Sequence, residues 1–165
     1  MPKNTIRKMT RKLKMNGTVL IRTATTADLA GMTSLLGELF TIEVDFTPDV
    51  RRQRQGLAEL MANDEATLLV AVIKNDIVGM CTLQPLVSTA EGGTVGMVED
   101  LVVGEAWRRR GIGSILLDAI EEVALQQNMT RLQLLTDLDN EAAGRFYDKH
   151  LWEKTRLITM RKKFS

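Results

Sequence analysis

The clearest pattern of hydrophobic and polar positions lies downstream of Gly111 and has the period of a helix. Its apolar residues recur at intervals of three and four, and they are Ile112, Ile115, Leu116, Ala119, Ile120, Val123 and Ala124. Charged and amide side chains occupy the opposite side, at Asp118, Glu121, Glu122 and Gln126. This spacing predicts an amphipathic helix that buries one stripe.

Three other segments also predict helices. Thr25 and Asp28 have the spacing of a capping box, and an apolar stripe with helical period runs from Leu29 to Phe40. A second stretch opens at Asp49, and residues 139–149 form the third.

Short apolar runs bounded by turn residues predict the strands. They are 18–21, 67–73, 77–83, 95–103 and 131–136, and the alternation in 152–164 predicts one or two more. In chain order these elements predict an α/β (α+β) fold, with a mixed sheet and helices on both of its faces. No repeat or linker divides residues 15–165, so we expect a single domain there.

Composition limits the chemistry that is available. The chain has 165 residues, 44% of them hydrophobic and 26% charged, which is typical of a soluble globular domain. Cys81 is the only cysteine and His150 the only histidine, so an intrachain disulfide, a CxxC zinc site and a multi-histidine metal site are excluded. We therefore expect no metal, no membrane span and a reducing, cytoplasmic location.

The formal net charge of +1 is an average over two unlike parts of the chain. Residues 1–14 hold six basic side chains and no acidic one, whereas the rest holds 16 basic and 21 acidic ones. We expect 1–14 to be a mobile basic arm, because chain termini are loosely ordered unless they are tied down. The near-neutral total argues against a dedicated nucleic-acid binder, and a protein anchored to nucleic acid by this arm is the weaker alternative.

The segment that carries the candidate chemistry is 98–113. It contains an acidic and apolar strand, a loop with three consecutive arginines, and glycines at positions 111 and 113 where the predicted helix begins. The first turn of a helix has unpaired N–H groups, glycine lets a phosphate approach the backbone, and arginine adds charge-assisted hydrogen bonds. These residues predict a loop that binds pyrophosphate.

Two common phosphate loops fit this segment poorly. A P-loop needs a lysine after its last glycine, and none follows Gly113. A Rossmann fingerprint needs a third glycine where Leu116 stands. Asp137, at the end of the next predicted strand, is similar to the ribose-binding acid of such folds, so a dinucleotide site stays a minor alternative.

Two motifs resemble those of the GNAT superfamily of N-acetyltransferases. RRRGIG at 108–113 resembles the family's acyl-CoA motif R/Q-x-x-G-x-G/A, and NEAAGRFY at 140–147 resembles its N-x-x-A-x-x-F-Y helix. One helix and one strand separate the two, as in the family, and the resemblance extends over about residues 18–164. Glu105 stands where the family often has proline, and Leu151 where it commonly has glycine.

The resemblance implies a GNAT-like single domain, with a mixed, mostly antiparallel sheet of six or seven strands flanked by about four helices. It implies transfer of an acetyl group from acetyl-CoA, the co-substrate, to a primary amine by direct attack in a ternary complex. The residues expected to bind acetyl-CoA are Leu101, Val102, Val103, Arg108, Arg109, Arg110, Gly111, Ile112, Gly113, Ser114, Asn140 and Phe146.

The resemblance also identifies candidate catalytic residues. Tyr147 falls at the family's general-acid position, from which a phenol donates a proton to the departing CoA thiolate. Glu99 is the candidate base for the acceptor ammonium, directly or through water, and Asp100 is the second candidate. In a regular strand Glu99 shares one face with Leu101 and Val103, and Asp100 lies on the other face.

The alternative function is a non-catalytic acyl-CoA sensor or scaffold of the same fold, and the presence of both Tyr147 and Glu99 argues against it. No pattern identifies the acceptor, which is a small-molecule or peptide amine. The acids Glu43, Asp45 and Asp49 and the net negative charge beyond residue 14 favour a cationic one. The resemblance is compatible with a homodimer, and no pattern sets the oligomeric state.

Overall fold

A six-stranded sheet forms the centre of the structure, a computed structural model that describes residues 8–13, 17–43 and 45–164. The strands lie in the sheet in the same order as in the chain. They are β1 (Met9–Lys12), β2 (Thr18–Thr23), β3 (Thr67–Ile73), β4 (Asp76–Ser88), β5 (Gly93–Val103) and β6 (Leu132–Gln133). Neighbours from β1 to β5 are antiparallel, and β5 and β6 are parallel. The predicted mixed, mostly antiparallel sheet is confirmed.

The described ranges contain four α-helices, as expected. They are α1 (Leu29–Ile42), α2 (Val50–Ala62), α3 (Ile112–Gln126) and α4 (Glu141–Lys149). The chain divides into two compact units, Met1–Leu135 and Thr136–Ser165, of which the first contains the sheet with α1 to α3 and the second contains α4. The single domain over 15–165 stays a prediction. No helix in the described part of the chain has the length and apolar character needed to cross a membrane.

Helices α1 and α2 cover one face of the sheet. Met32 of α1 and Leu57 of α2 belong to one buried cluster with Val70 of β3 and Met80 of β4. Since successive residues of a strand point to opposite faces, Gly79 points away from this cluster.

Helix α3 covers the other face. A Cβ atom added to Gly79 would lie 3.1 Å from Cδ1 of Leu116, so the missing side chain lets α3 approach β4 closely. Leu116, Leu117 and Ile120 are fully buried, and each such side chain contributes about 2 kcal/mol to stability. The predicted apolar stripe of this helix is therefore buried except at Ile115, which is half-buried, and Leu117 adds to the buried face.

An ion pair fixes the junction between β2 and α1. Asp28 accepts two hydrogen bonds from the Arg22 guanidinium, at 2.6 and 2.8 Å, and one from the Thr25 N–H at 2.7 Å. The last bond is the reciprocal half of the capping box that the Thr25 and Asp28 spacing predicts. Asp28 is 5% exposed, so the carboxylate is held by partners that compensate for its burial.

Several predicted boundaries are wrong. The strand predicted over 131–136 is only Leu132–Gln133, because its pairing with β5 is limited to Gly96 and Met97. The helix predicted from residue 139 begins at Glu141. The strands predicted within 152–164 are absent from those described residues, since alternation predicts a face for a strand and does not supply a neighbour to pair with.

The predicted basic arm also needs correction. Met9–Lys12 form β1, which pairs along its whole length with β2, from Met9 opposite Ile21 to Lys12 opposite Thr18. Backbone hydrogen bonds thus tie this part of the arm to the sheet edge, and its basic side chains remain exposed. Residues 1–7 and Lys14 of the predicted arm lie outside the described residues.

Candidate active site

A β-bulge interrupts the pairing of β4 with β5 in the middle of the sheet. Met80 lies opposite Val102 and Thr82 lies opposite Glu99, so the ladder skips Asp100 and Leu101. Asp100 has a left-handed backbone conformation with φ 52°. An extra residue of this kind bends the strand and shifts the alternation of its side chains.

The bulge brings both carboxylates close to Thr82 of β4. Glu99 lies directly opposite Thr82, and cross-strand partners of this kind share a face. The Thr82 hydroxyl also lies 3.4 Å from a carboxylate oxygen of Asp100. Thr82 is two residues from Met80, whose side chain packs toward α1 and α2. Glu99 therefore lies on the side of the sheet that these helices cover, whereas the Asp100 charge also acts on the thiol of Cys81, the chain neighbour of Thr82.

The environment of Asp100 makes it a proton acceptor near neutral pH. Burial and, as a smaller effect, the Glu99 carboxylate raise the pKa of Asp100 from 3.8 to about 6, while the hydrogen bond from Thr82 acts in the opposite direction. A carboxylate with this pKa is ionised at pH 7 and is more basic than an ordinary aspartate.

Glu99 differs from Asp100 in its exposure. Its carboxylate accepts a hydrogen bond of 3.1 Å from the Gln84 amide, and its side chain is open to solvent. An exposed carboxylate beside a buried one attracts a cation before any proton is transferred. This pair of acids suits the binding and deprotonation of an ammonium group.

The second half of β5 has an unpaired edge. β6 pairs only with Gly96 and Met97, so within the described residues Val98–Val103 have no strand on that side. Leu101, Val102 and Val103, which the sequence predicts to bind acetyl-CoA, all lie in this stretch. Backbone groups along an open edge pair readily with an extended ligand.

Helix α3 begins at the end of the loop that follows β5. Its N-cap is Gly111, which has φ 87°, a left-handed conformation that favours glycine. Glycine has no side chain with which to cap the helix, and the amides of the first turn, which begins at Ile112, form the positive end of the helix dipole. This arrangement fits an anionic group such as a pyrophosphate.

The three arginines of the loop differ in their contacts. Arg108 donates from Nε to the carbonyl oxygen of Val103 at 2.9 Å, and its Nη2 lies 3.7 Å from a carboxylate oxygen of Glu38 on α1. Arg110 donates to the Ala106 carbonyl, and its guanidinium lies 4.8 Å from the centre of the Trp107 ring. Arg109 has φ 62° and an exposed side chain. Of the three predicted phosphate contacts, Arg109 is the one with its guanidinium directed to solvent.

The second motif lies in the second unit, on α4. Asn140 is the N-cap of this helix, and its side-chain oxygen accepts a hydrogen bond of 3.0 Å from the Ala143 N–H. Phe146 and Tyr147 are half-buried, with ring centres 5.2 Å apart, and the Tyr147 ring lies 5.8 Å from that of Trp152. Asparagine in the motif therefore starts the helix that carries the tyrosine.

Three residues of the site were not found from the sequence: Thr82, Gln84 and Glu38. Each acts across strands or between a helix and a loop, and none belongs to a local motif. The bulge itself had one local signal in the sequence, which is an aspartate inside an apolar strand. Aspartate tolerates a left-handed backbone conformation better than most residues do. Cys81 is fully buried in β4, and burial, with the nearby Asp100 charge as a smaller effect, raises the pKa of its thiol, so it is not a nucleophile.

Comparisons with known proteins agree with this geometry. The family described as Acetyltransferase (GNAT) family matches residues 30–151. The chain is 30% identical over 127 residues to an aminoalkylphosphonate N-acetyltransferase of Salmonella typhimurium, with 77% of this chain and 80% of that protein covered.

Two solved structures have a similar fold. The aminoglycoside antibiotic 6'-N-acetyltransferase of Acinetobacter haemolyticus matches with a TM-score of 0.73 at 22% identity, covering 88% of this chain and 99% of that one. AAC(6')-Iy, in complex with the bisubstrate analog CoA-S-monomethyl-acetylneamine, matches with a TM-score of 0.73 at 17% identity over the same shares. The family match spans most of the chain, including the bulged strand and the glycine loop, so this protein belongs to the GNAT acetyltransferase family and is an acyltransferase.

Proposed function

We propose that this enzyme transfers an acetyl group from acetyl-CoA to the primary amine of a small cationic acceptor. One observation carries the proposal: a single segment, 98–113, joins an acidic bulge, an unpaired strand edge and a helix N-terminus that opens with glycine. These three features supply a proton acceptor, a place for an extended arm and a place for a pyrophosphate. In that order they match the layout of an acyl-CoA lying along the segment with its acetyl group at the bulge.

The acyl-CoA is proposed to bind through backbone groups at two places. Its pantetheine arm would pair with the open edge at Leu101, Val102 and Val103, and its pyrophosphate would accept hydrogen bonds from the amides between Arg109 and Ser114. An N–H beside the bulge would also stabilise the negative charge that develops on the carbonyl oxygen. Arg109 adds a charge-assisted contact to the phosphates.

Asp100 is proposed as the base, with Glu99 as the group that attracts the ammonium. The half-buried position and raised pKa of Asp100 favour proton transfer, whereas the exposed Glu99 is held by Gln84. This division changes the order expected from the sequence, in which Glu99 was the first candidate. Both acids remain in the reaction, in different roles.

The proposed reaction proceeds by direct attack. Asp100 accepts a proton from the ammonium, and the neutral amine nitrogen forms a bond to the acetyl carbonyl carbon. The tetrahedral intermediate then breaks its carbon–sulfur bond, and Tyr147 donates a proton to the departing CoA thiolate. The nitrogen of the intermediate loses its second proton, which restores the Tyr147 hydroxyl, while the first proton passes from Asp100 to solvent. The products are the N-acetylated amine and CoA.

The acceptor class follows from charge. Two neighbouring acids at the bulge favour an ammonium group, and the exposure of Glu99 lets a charged acceptor approach from solvent. Since a relative is named for aminoalkylphosphonates, these compounds are the first acceptors to test. Polyamines, amino acids, aminoglycosides and peptides complete the panel.

Calorimetric titration with acetyl-CoA, followed by detection of released CoA thiol over this panel, tests the proposal. We expect micromolar binding of acetyl-CoA and acceptor-dependent thiol release that Asp100→Asn lowers by a factor on the order of 10² to 10⁴. Asp64→Asn is the matched control, because Asp64 is exposed in the turn after α2. Absence of acetyl-CoA binding at millimolar concentration would overturn the proposal.

A further inference from the structure

Glu38 of α1 contacts the loop between β5 and α3 at two points. One carboxylate oxygen accepts a hydrogen bond of 2.9 Å from the Glu105 N–H. The same oxygen lies 3.7 Å from Nη2 of Arg108. Glu38 lies 67 positions before Glu105 in the sequence, and it does not belong to either family motif. It is therefore a long-range contact between a helix and the loop that precedes the glycines.

Arg108 completes this arrangement from the loop side. Its Nε donates to the carbonyl oxygen of Val103, the last residue of β5, at 2.9 Å. Its guanidinium is thus directed to two protein groups, one on the strand and one on α1. A planar guanidinium with fixed partners on two sides holds the backbone of its own residue in one orientation.

We propose that Glu38 is a positioning residue for acetyl-CoA, acting through Arg108. By holding Arg108 and the N–H of Glu105, it fixes the loop so that the amides at the start of α3 stay directed toward the bound pyrophosphate. This inference rests on the proposed function of the same loop and adds a residue and a role to it. The motif arginine then acts within the protein, and the phosphate charge is met by backbone amides and Arg109.

The solvent exposure of the Arg108–Glu38 ion pair indicates whether its loss should change stability or ligand binding. The side chains of Arg108 and Glu38 are 37% and 41% exposed, and ion pairs with this exposure contribute little to the free energy of unfolding. Loss of the pair should therefore leave thermal stability nearly unchanged. Loss of the fixed loop conformation, by contrast, should lower the affinity for acetyl-CoA, because part of the binding free energy is then used to order the loop.

The test is a double-variant cycle on acetyl-CoA affinity, measured by calorimetry on the full chain. Glu38→Ala and Arg108→Ala should each weaken binding about tenfold, and the double variant should be no weaker than either single one. At saturating acetyl-CoA, kcat should stay within about twofold of wild type, because the acids at the bulge are not touched. Glu38→Gln keeps an acceptor for the Glu105 N–H and loses the charge, so its affinity should lie between wild type and Glu38→Ala.

The matched control is Glu59→Gln, an exposed glutamate on α2 whose carboxylate bonds to Gln55 of the same helix. It should bind acetyl-CoA as wild type does. If wild type binds acetyl-CoA and Glu38→Ala binds it equally well, the positioning role is wrong and the proposed function stands. The positioning role is also wrong if the affinity losses of the two single variants add in the double variant. It is wrong, too, if a fall in melting temperature explains the weaker binding of acetyl-CoA. If the wild-type protein itself does not bind acetyl-CoA, the proposed function and this inference are both wrong.

Discussion

The Thr82 hydroxyl oxygen lies 3.4 Å from a carboxylate oxygen of Asp100 and 3.0 Å from the carbonyl oxygen of Glu99. Thr82 is 1% exposed, and its one hydroxyl contacts both Glu99 and Asp100 from β4. It stabilises the ionised form of Asp100, against burial and the Glu99 charge, which both raise the pKa. The balance of these effects sets the pH range in which the proposed base works.

The first prediction concerns the pH dependence of kcat/KM. Since the pKa of Asp100 is about 6, activity should rise with a slope of one as the pH increases through about 6 and the carboxylate loses its proton. Thr82→Val removes the hydrogen bond that lowers this pKa, so its profile should move to higher pH. Glu99→Gln removes a neighbouring negative charge, so its profile should move to lower pH. Identical midpoints in wild type and both variants would contradict this assignment.

The second prediction is that Asp100→Asn stabilises the fold while it abolishes turnover. Because the pKa of Asp100 is raised in the folded state, its contribution to stability is full below about pH 3.8 and is lost as the pH rises through about 6. The ionised group therefore costs roughly 2 to 3 kcal/mol at pH 8, which the neutral amide avoids. Melting temperatures at pH 5 and pH 8 should show a gain that is larger at pH 8. An equal gain at both values would point to another cause.

The third prediction concerns the ion pair between β2 and α1. Asp28→Asn should destabilise the protein by about 3 kcal/mol, because it leaves the Arg22 guanidinium without its buried partner. The pKa of Asp28 is lowered, first by the hydrogen bonds from Arg22, so its stabilisation is present above the ordinary aspartate pKa and is lost as the pH falls through the lower folded value. Chemical denaturation measures the change. Glu141→Gln, which breaks an exposed pair with Arg145, should leave the midpoint unchanged.

The fourth prediction separates the arginines of the loop. Arg109→Ala should weaken acetyl-CoA binding about tenfold and reduce its dependence on salt, because a solvent-directed guanidinium is lost from the phosphate site. Arg51→Ala on α2 is the control, since it removes an equally exposed arginine outside the loop. If the Arg109 variant and wild type bind acetyl-CoA equally well at low salt, Arg109 does not contribute to phosphate binding and the backbone amides alone account for it.

The fifth prediction tests the proposed acid. Tyr147→Phe keeps the ring that contacts Phe146 and Trp152 and removes the hydroxyl. We expect kcat to fall by a factor on the order of 10² to 10³ with little change in acetyl-CoA affinity. Rates with an acyl donor whose thiol leaves more readily should be less affected, because that thiolate needs less help from an acid. Unchanged turnover with acetyl-CoA would remove Tyr147 from the mechanism.

Local patterns predicted the elements that are stabilised by their own sequence. The stripe that begins at Ile112 became the buried face of α3, and the spacing of Thr25 and Asp28 became a capping interaction. These predictions held because helical period and capping depend on residues three or four positions apart. The predicted strands in 152–164 did not form, because a strand is stable only beside a partner that its own alternation does not specify.

The sequence by itself determined the family, through two motifs whose glycines and aromatic residues stand at fixed spacing, and it predicted which loop binds a phosphate. Only the tertiary structure decided how the acids are arranged, because a bulge depends on the register between two strands and brings Asp100 within 3.4 Å of Thr82, the cross-strand partner of Glu99. It also decided that Arg108 bonds to Val103 and Glu38, whereas Arg109 is directed to solvent. Chain neighbours set local conformation, but charge and proton affinity depend on burial and on partners that folding brings from far along the chain.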